Sequence, residues 1–263
     1  VSSVSCIYGL GAPEEYASFV LFLENEIEIS PRMVISKLIE MQYERNDYDF
    51  TRGRFRVRGD TIEIQPIYEQ TAVRIEFFGN KIDRITNVDI TTGKSLDVRN
   101  KVAIYPAKHW VTQPDNMRAA LSDIQMEMEE RRDWFKQQSK FIEAQRIEER
   151  TKFDVEMMRE IGYCSGVENY SRHLQRREAG SRPWTLIDYF PQDALVMIDE
   201  SHMTIPQLRG MYYGDKSRKQ NLVDFGFRLP SALDNRPLNF GEFEQLVNQV
   251  IYVSATPADY EGD

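Results

Sequence analysis

The chain has 263 residues, 41% of them apolar and 29% charged, with a formal net charge of −9. That length and apolar content suffice for two or more domains with packed cores, and the acidic balance excludes a broad, unspecific phosphate-binding surface. Two distant cysteines, Cys6 and Cys164, and three scattered histidines, His109, His173 and His202, have no zinc-ligand spacing. Unpaired cysteines fit a reducing cytoplasm. No apolar run reaches the length of a membrane span, and no signal-peptide pattern opens the chain.

Residues 1–8 are β-branched and small, which predicts a strand that turns at Gly9 and Gly11. The start carries no methionine, so the chain reads as an internal piece of a longer protein. Pro13 opens a predicted helix with Tyr16, Phe19, Val20 and Leu23 on one face. Ser30 and Pro31 form an N-cap and first-turn pair for a second helix lined by Val34, Leu38 and Met41. After Asn46 and Asp47 the period drops to two. Phe55 and Val57 face one way, and Arg54, Arg56 and Arg58 the other. The alternation continues through Ile62 and Ile64, then Val73, Ile75 and Phe77, across turns at Gly59-Asp60 and Gly79-Asn80 toward Ile82 and Ile85. This predicts an antiparallel meander whose apolar face is covered by the two helices.

Around the polar face, residues 51–78 interleave Arg52, Arg54, Arg56, Arg58 and Arg74 with Asp60, Glu63, Glu69 and Glu76. So balanced a face is a poor DNA footprint. It suits a protein partner of complementary charge, to whose carboxylates arginine pairs bidentately. The alternative is a solvated face with cross-strand ion pairs of ~0.2–1 kcal/mol each.

Residues 89–100 predict a turn-rich return and residues 102–105 a short strand. Thr112 and Asp115 have capping-box spacing before a long helical tract to about Glu160, with Leu121, Ile124, Met128, Phe135 and Ile142 as its apolar stripe. Arg131, Arg132, Arg146 and Arg150 either meet phosphates or form its solvated side. Gly162 and Gly166 end the tract, residues 168–173 (ENYSRH) form a polar-aromatic cluster of open role, and residues 179–183 read as a boundary loop.

Next comes a short unbroken apolar run, residues 195–198, ending abruptly in Asp199, Glu200, Ser201 and His202. Such a run predicts a strand buried on both faces, as in a parallel sheet, where ligands bind at the carboxyl ends of strands. There one acid can hold magnesium, usually through water, while the other orients or deprotonates an attacking water. A second strand, residues 249–253, ends in Ser254-Ala255-Thr256-Pro257, whose hydroxyls can sense the nucleotide state beside those acids. The basic segments holding Arg228 and Arg236 either touch a nucleic-acid backbone or are plain surface loops. No G-x-x-x-x-G-K-[ST] phosphate loop occurs anywhere in the sequence, and acids without that cradle do not run ATP hydrolysis.

Several long words in order carry a family resemblance: YGLG (8–11), FRVRGD (55–60), GYCSGVENYSRH (162–173), DESH (199–202), LRGMY (208–212), GFRLPSALDNRP (226–237) and YVSATP (252–257). Over essentially its whole length the chain resembles the UvrB family, the helicase-like ATPase subunits of bacterial nucleotide excision repair. The resemblance implies an α/β fold. Residues 1–15 and 183–263 would be part of a helicase-like, RecA-type parallel-sheet domain. An α+β antiparallel-sheet domain that docks UvrA would be inserted at 16–108, and a helical subdomain would occupy 109–182. It implies catalytic roles for Asp199 (magnesium), Glu200 (water activation), Ser254 and Thr256 (coupling hydrolysis to DNA). It also implies UvrA contacts by Arg45, Arg56, Arg58, Arg74 and Glu76, and DNA contacts by Arg150, Gln207 and Arg228.

By the same resemblance the phosphate loop and DNA-clamping hairpin precede Val1. The second motor domain and the module that meets UvrC follow Asp263. ATP, magnesium and damaged DNA are thus implied for the full-length cytoplasmic protein, no cofactor is expected in this piece, and UvrA docking is its expected retained activity. The alternative is the UvrA-docking sheet domain of a transcription-repair coupling factor, which should lack GYCSGVENYSRH and the DESH-to-SATP spacing.

Overall fold

The period-two stretch and the long helical tract fall into separate bodies. The computed structural model, which describes residues 1–258 and 260, divides into the unit Glu14–Val111 and a unit formed by Val1–Pro13 with Thr112–Asp263.

Within Glu14–Val111, helix α1 is short, Pro13–Ser18, and strand β1 follows at Leu21–Glu24. The single helix expected through Leu23 is therefore corrected. Phe19, Leu21 and Leu23 are buried while Phe22 is exposed, a spacing of two that β1 satisfies by pairing with β8. Helix α2, Pro31–Glu40, starts as expected, with Ser30 Oγ accepting from the Met33 amide at 3.3 Å. Strands β2 (Glu44–Arg45), β3 (Arg54–Arg58), β4 (Thr61–Gln65), β5 (Ala72–Phe78), β6 (Lys81–Val88) and β7 (Ser95–Arg99) form one six-stranded sheet in that order. All neighbours are antiparallel except β2 and β3. Strand β7 corrects the turn-rich return: Asp89 Oδ1 accepts from the Thr92 amide at 2.7 Å, and this tight turn sends the chain back as an edge strand. Strand β8, Lys101–Ile104, pairs with β1.

The apolar side of the meander is as read from its alternation. Phe55, Ile62, Ile64, Val73, Ile75, Ile82 and Ile85 pack with Val34, Leu38 and Met41 of the α2 segment, and with Leu21, Leu23 and Ile104. Helix α2 and the β1–β8 ribbon thus cover the sheet, and the shortened α1 adds Tyr16 to the same core.

The other unit opens with a 3-10 turn, Val4–Ile7, instead of a strand. Ser3 and Ser5 hydrogen-bond each other at 2.6 Å, local pairing that competes with extension, and only Ile7 of the turn is buried. The long helical tract is two antiparallel helices, α3 (Pro114–Gln137) and α4 (Phe141–Ile161), broken at Ser139, which takes a left-handed φ of 59°. Gln113 and Pro114, not a Thr112 capping box, start α3. Leu121, Ile124, Met128 and Phe135 are buried as expected. Ile142 is exposed, because the break places it in the first turn of α4. Gly162 ends α4 in the left-handed conformation, φ 71°. A short helix α5, Ser171–Leu174, then leads to strand β9 (Leu195–Ile198), helix α6 (Ser201–Asp224), helix α7 (Phe240–Leu246) and strand β10 (Gln249–Tyr252).

Strands β9 and β10 pair in parallel, Leu195 opposite Gln249 and Ile198 opposite Tyr252. The expected burial on both faces is corrected. Ile198 packs with Ile7, Ile205, Leu208 and Phe243, whereas Leu195 is 52% and Met197 66% exposed. Among the described residues this parallel sheet has two strands, so the fold is a mixed α/β one and does not itself display a RecA-type sheet.

Candidate functional site

A tight turn follows β9. Glu200 adopts φ 45°, ψ 49°, a left-handed conformation costing a non-glycine residue roughly 1–2 kcal/mol. It lets the strand pass directly into α6 with Asp199 and Glu200 at the junction. Asp199 Oδ1 accepts from the Glu200 amide at 3.0 Å, and the Asp199 carbonyl accepts from Thr204 Oγ1 at 2.9 Å. Ser201, fully buried, clamps this junction to the second strand: its amide and hydroxyl both donate to the Val253 carbonyl, at 3.0 and 3.2 Å. His202 completes the link by sharing a 2.8 Å hydrogen bond with Ser254 Oγ, which also accepts from the Thr256 amide at 3.2 Å. A Glu200 oxygen lies 3.5 Å from the same His202 Nδ1.

Asp199, Glu200, Ser254 and Thr256 are therefore brought together at the carboxyl ends of two parallel strands, with His202 as their connector. Sequence reasoning quoted His202 within DESH but gave it no role. Its position three residues after Asp199 on a helix start was the available signal. Among the described residues no group of three His, Cys, Asp or Glu side chains converges as a metal cage. Magnesium typically takes one or two carboxylates and fills the rest of its shell with water and substrate phosphates. The exposed Asp199 and Glu200 fit that shared mode.

On the polar face of the six-stranded sheet, register places Arg56, Glu63 and Arg74 side by side across β3, β4 and β5. Glu63 is only 5% exposed. One of its oxygens accepts from Arg56 Nε, and the other accepts from Arg74 Nε at 2.8 Å. Arg56 also lies 4.4 Å from the centre of the Phe50 ring, and Arg74 donates to the Gly93 carbonyl at 3.2 Å. Burial pushes the Glu63 carboxyl up, but the two guanidinium hydrogen bonds outweigh it and hold the group below the usual carboxylate range. In the next row Arg58, Thr61 and Glu76 follow in register, Arg58 exposed. Together these side chains line a depression of about 320 Å³. Arg45 pairs with Asp47 at 3.1 Å, and Asp47 accepts from the Val57 amide at 3.0 Å, so Arg45 is tethered beside β3. Alternation correctly sends Arg56, Arg58, Thr61, Glu63, Arg74 and Glu76 to one face. It treats Glu63 as one more solvated acid, because burial under arginines of neighbouring strands has no signature along a single strand.

Arg150 and Arg228 meet at one loop: Arg150 donates to the Ser165 carbonyl at 3.0 Å, and Arg228 lies beside Gly166. Burial pushes the intervening Cys164 thiol up to about 12, so it stays protonated. Gln207 is exposed on α6, a different element. Residues of the ENYSRH cluster are tied into the fold. Tyr170 donates to buried Asp154 at 2.8 Å. His173 Nε2 shares a 2.6 Å hydrogen bond with Glu127, which also accepts from the Ser231 amide at 2.7 Å. Arg172 lies 3.5 Å from Glu127 and pairs with Asp234 at 3.1 Å.

Comparison with known proteins gives two family matches: the UvrB interaction domain over residues 21–110 and the UvrB third helical domain over residues 115–176. Proteins named UvrABC system protein B are similar along nearly the whole chain. Identity is 58% over 261 residues in Dehalococcoides mccartyi, 59% over 262 in Geobacillus kaustophilus and 60% over 262 in Natranaerobius thermophilus, each alignment covering 99% of this chain. The chain spans about 40% of the length of these relatives. No helix among the described residues is long and apolar enough to cross a membrane.

Proposed function

We propose, since the chain belongs to the UvrB family, that its charged sheet face docks UvrA during bacterial nucleotide excision repair in the cytoplasm. The observation that carries this reading is the pair Arg56 and Arg74, each held by Glu63 and by a second partner, beside exposed Arg58 around a depression within the segment matching the interaction domain. Immobilised guanidinium groups recognise carboxylates with less ordering cost than mobile ones. The match of residues 115–176 to the third helical domain favours this family over the sheet domain of a coupling factor.

The same reading makes β9 and β10 two strands of a RecA-type sheet, and makes the junction after β9 the acidic half of an ATP site. Magnesium bound with ATP would supply neutralisation of phosphate charge beside Asp199. Glu200 would orient the attacking water and take its proton. His202 and Ser254 would transmit a shift of Glu200 to the segment holding Thr256. Arg150, Arg228 and Gln207 would meet damaged DNA, and UvrC would join through the longer protein. Because the sequence holds no phosphate loop, the chain by itself should release no phosphate from ATP above background in a coupled assay with DNA and magnesium. Turnover at the rate of a full-length relative would contradict this division of roles.

Docking is tested by surface plasmon resonance with UvrA immobilised. Arg58 is exposed and pairs with no carboxylate among the described residues, so Arg58→Glu should weaken binding at least about ten-fold with an unchanged far-UV spectrum and melting curve. Equal binding by the two proteins would refute the sheet face as the platform. Arg56→Glu is the poorer probe, since it sets a second carboxylate against buried Glu63 and disturbs the fold as well.

A further inference from the structure

One group in the depression cannot itself be a principal contact. Glu63 is buried beneath the arginines that surround it, at the centre of three adjacent strands. Both of its carboxylate oxygens are committed, one to Arg56 and one to Arg74. Each arginine is also held from a second side, Arg56 by the Phe50 ring and Arg74 by the Gly93 carbonyl. Long side chains on a sheet normally keep much of their rotamer freedom, which costs about 0.5–1.5 kcal/mol each to lose on binding. Here that freedom is lost when the chain folds.

The charge count around the depression matters too. Arg56, Arg58 and Arg74 face Glu63 and Glu76, so one positive charge remains uncompensated among these five. Each guanidinium has five N–H donors, and Glu63 uses only part of that capacity. The remaining donors of Arg56 and Arg74, with exposed Arg58, suit an incoming carboxylate in preference to a cation or an apolar side chain.

From this we infer that Glu63 is a positioning residue that presets Arg56 and Arg74 as a fork for an acidic side chain of the docking partner. The inference rests on the reading of this face as the UvrA platform. It goes further by assigning the preset to one buried acid and the partner's group to a carboxylate.

Two measurements on the full chain test it. In the free protein, the Arg56 and Arg74 Nε–H resonances should be resolved in a ¹H–¹⁵N spectrum, and Glu63→Gln, which keeps the shape and removes the charge, should broaden or lose them. On immobilised UvrA, Glu63→Gln should raise the dissociation rate about ten-fold or more while changing the association rate little, because positioning governs how well the contact is held. Glu63→Gln must keep the unaltered sheet amide pattern in the same spectrum. Should it not, Glu63→Asp, which keeps the charge but draws the carboxylate back from both guanidinium groups, replaces it, with the same faster dissociation expected. A folded variant that dissociates at the unaltered rate overturns the role of Glu63 and leaves docking standing. Failure of the unaltered chain to bind UvrA overturns both.

Discussion

Replacing Gly226 by alanine is expected to destabilise the helical unit by about 3 kcal/mol or more, read as a lower urea midpoint at constant m-value. Gly226 has φ +71°, and a Cβ there would sit 2.5 Å from the Glu143 carbonyl oxygen and 2.9 Å from the Glu143 Cα. Both atoms belong to the backbone of the first turn of α4, which cannot rotate aside as a side chain would. The expected loss combines the left-handed strain of a non-glycine residue, roughly 1 kcal/mol, with overpacking against fixed backbone, roughly 1–3 kcal/mol. Gly180 supplies the control. It has φ +79° and nothing within 4 Å of its missing Cβ, so Gly180→Ala should show the strain alone, about 1 kcal/mol. Equal effects at the two sites would show that the close approach of residue 226 to α4 carries no energy.

Glu127→Ala should cost about 3–5 kcal/mol, the range for removing one partner of a buried charge network. The deletion leaves His173, the Ser231 amide and part of the Arg172 guanidinium without their acceptor, in a place where water reaches poorly. A pH signature separates this from simple loss of packing. Burial pushes the Glu127 carboxyl up, but hydrogen bonds from His173 and the Ser231 amide, with the charge of Arg172, hold it below its ordinary range. A group with a depressed folded pKa stabilises the fold fully above its unfolded value, about 4.3, and loses that contribution as pH falls through the lower folded value. The stability gap between the unaltered chain and Glu127→Gln should therefore be full above about pH 5 and narrow steadily below about pH 4. A gap independent of pH would mean that the ionised carboxylate is not what holds the cluster.

The alternation of residues 54–85 made the sheet legible, because one buried face imposes one register on each strand. The pair Ser30-Pro31 was equally plain, since both residues act locally. The β1 segment was misread because Tyr16, Phe19 and Leu23 suit helical spacing as well as Phe19, Leu21 and Leu23 suit a strand. Pairing with β8, some eighty residues away, decided between them. The break at Ser139 carries neither glycine nor proline. It is fixed by the mutual packing of α3 and α4, helices on which Phe135 and Ile147 are buried. At the candidate site the acids and hydroxyls were legible as motifs. The His202–Ser254 hydrogen bond and the burial of Glu63 were not, because each depends on side chains that only the fold brings together.

The antiparallel ribbon of β1 and β8 has a consequence for how the chain is made. Leu21 stands opposite Ile104, so once the inserted unit has folded, the two ends leading out of it are already neighbours. The first thirteen residues and everything after residue 111 then belong to a much shorter effective loop, a saving in closure entropy of about 2 kcal/mol. Synthesis from the N-terminus completes the insert before the chain that must rejoin the opening segment exists. The insert thus serves as a tether that holds the opening segment ready for its late-arriving partners, and strand-pairing defects in the ribbon should slow maturation of the unit in which they do not lie.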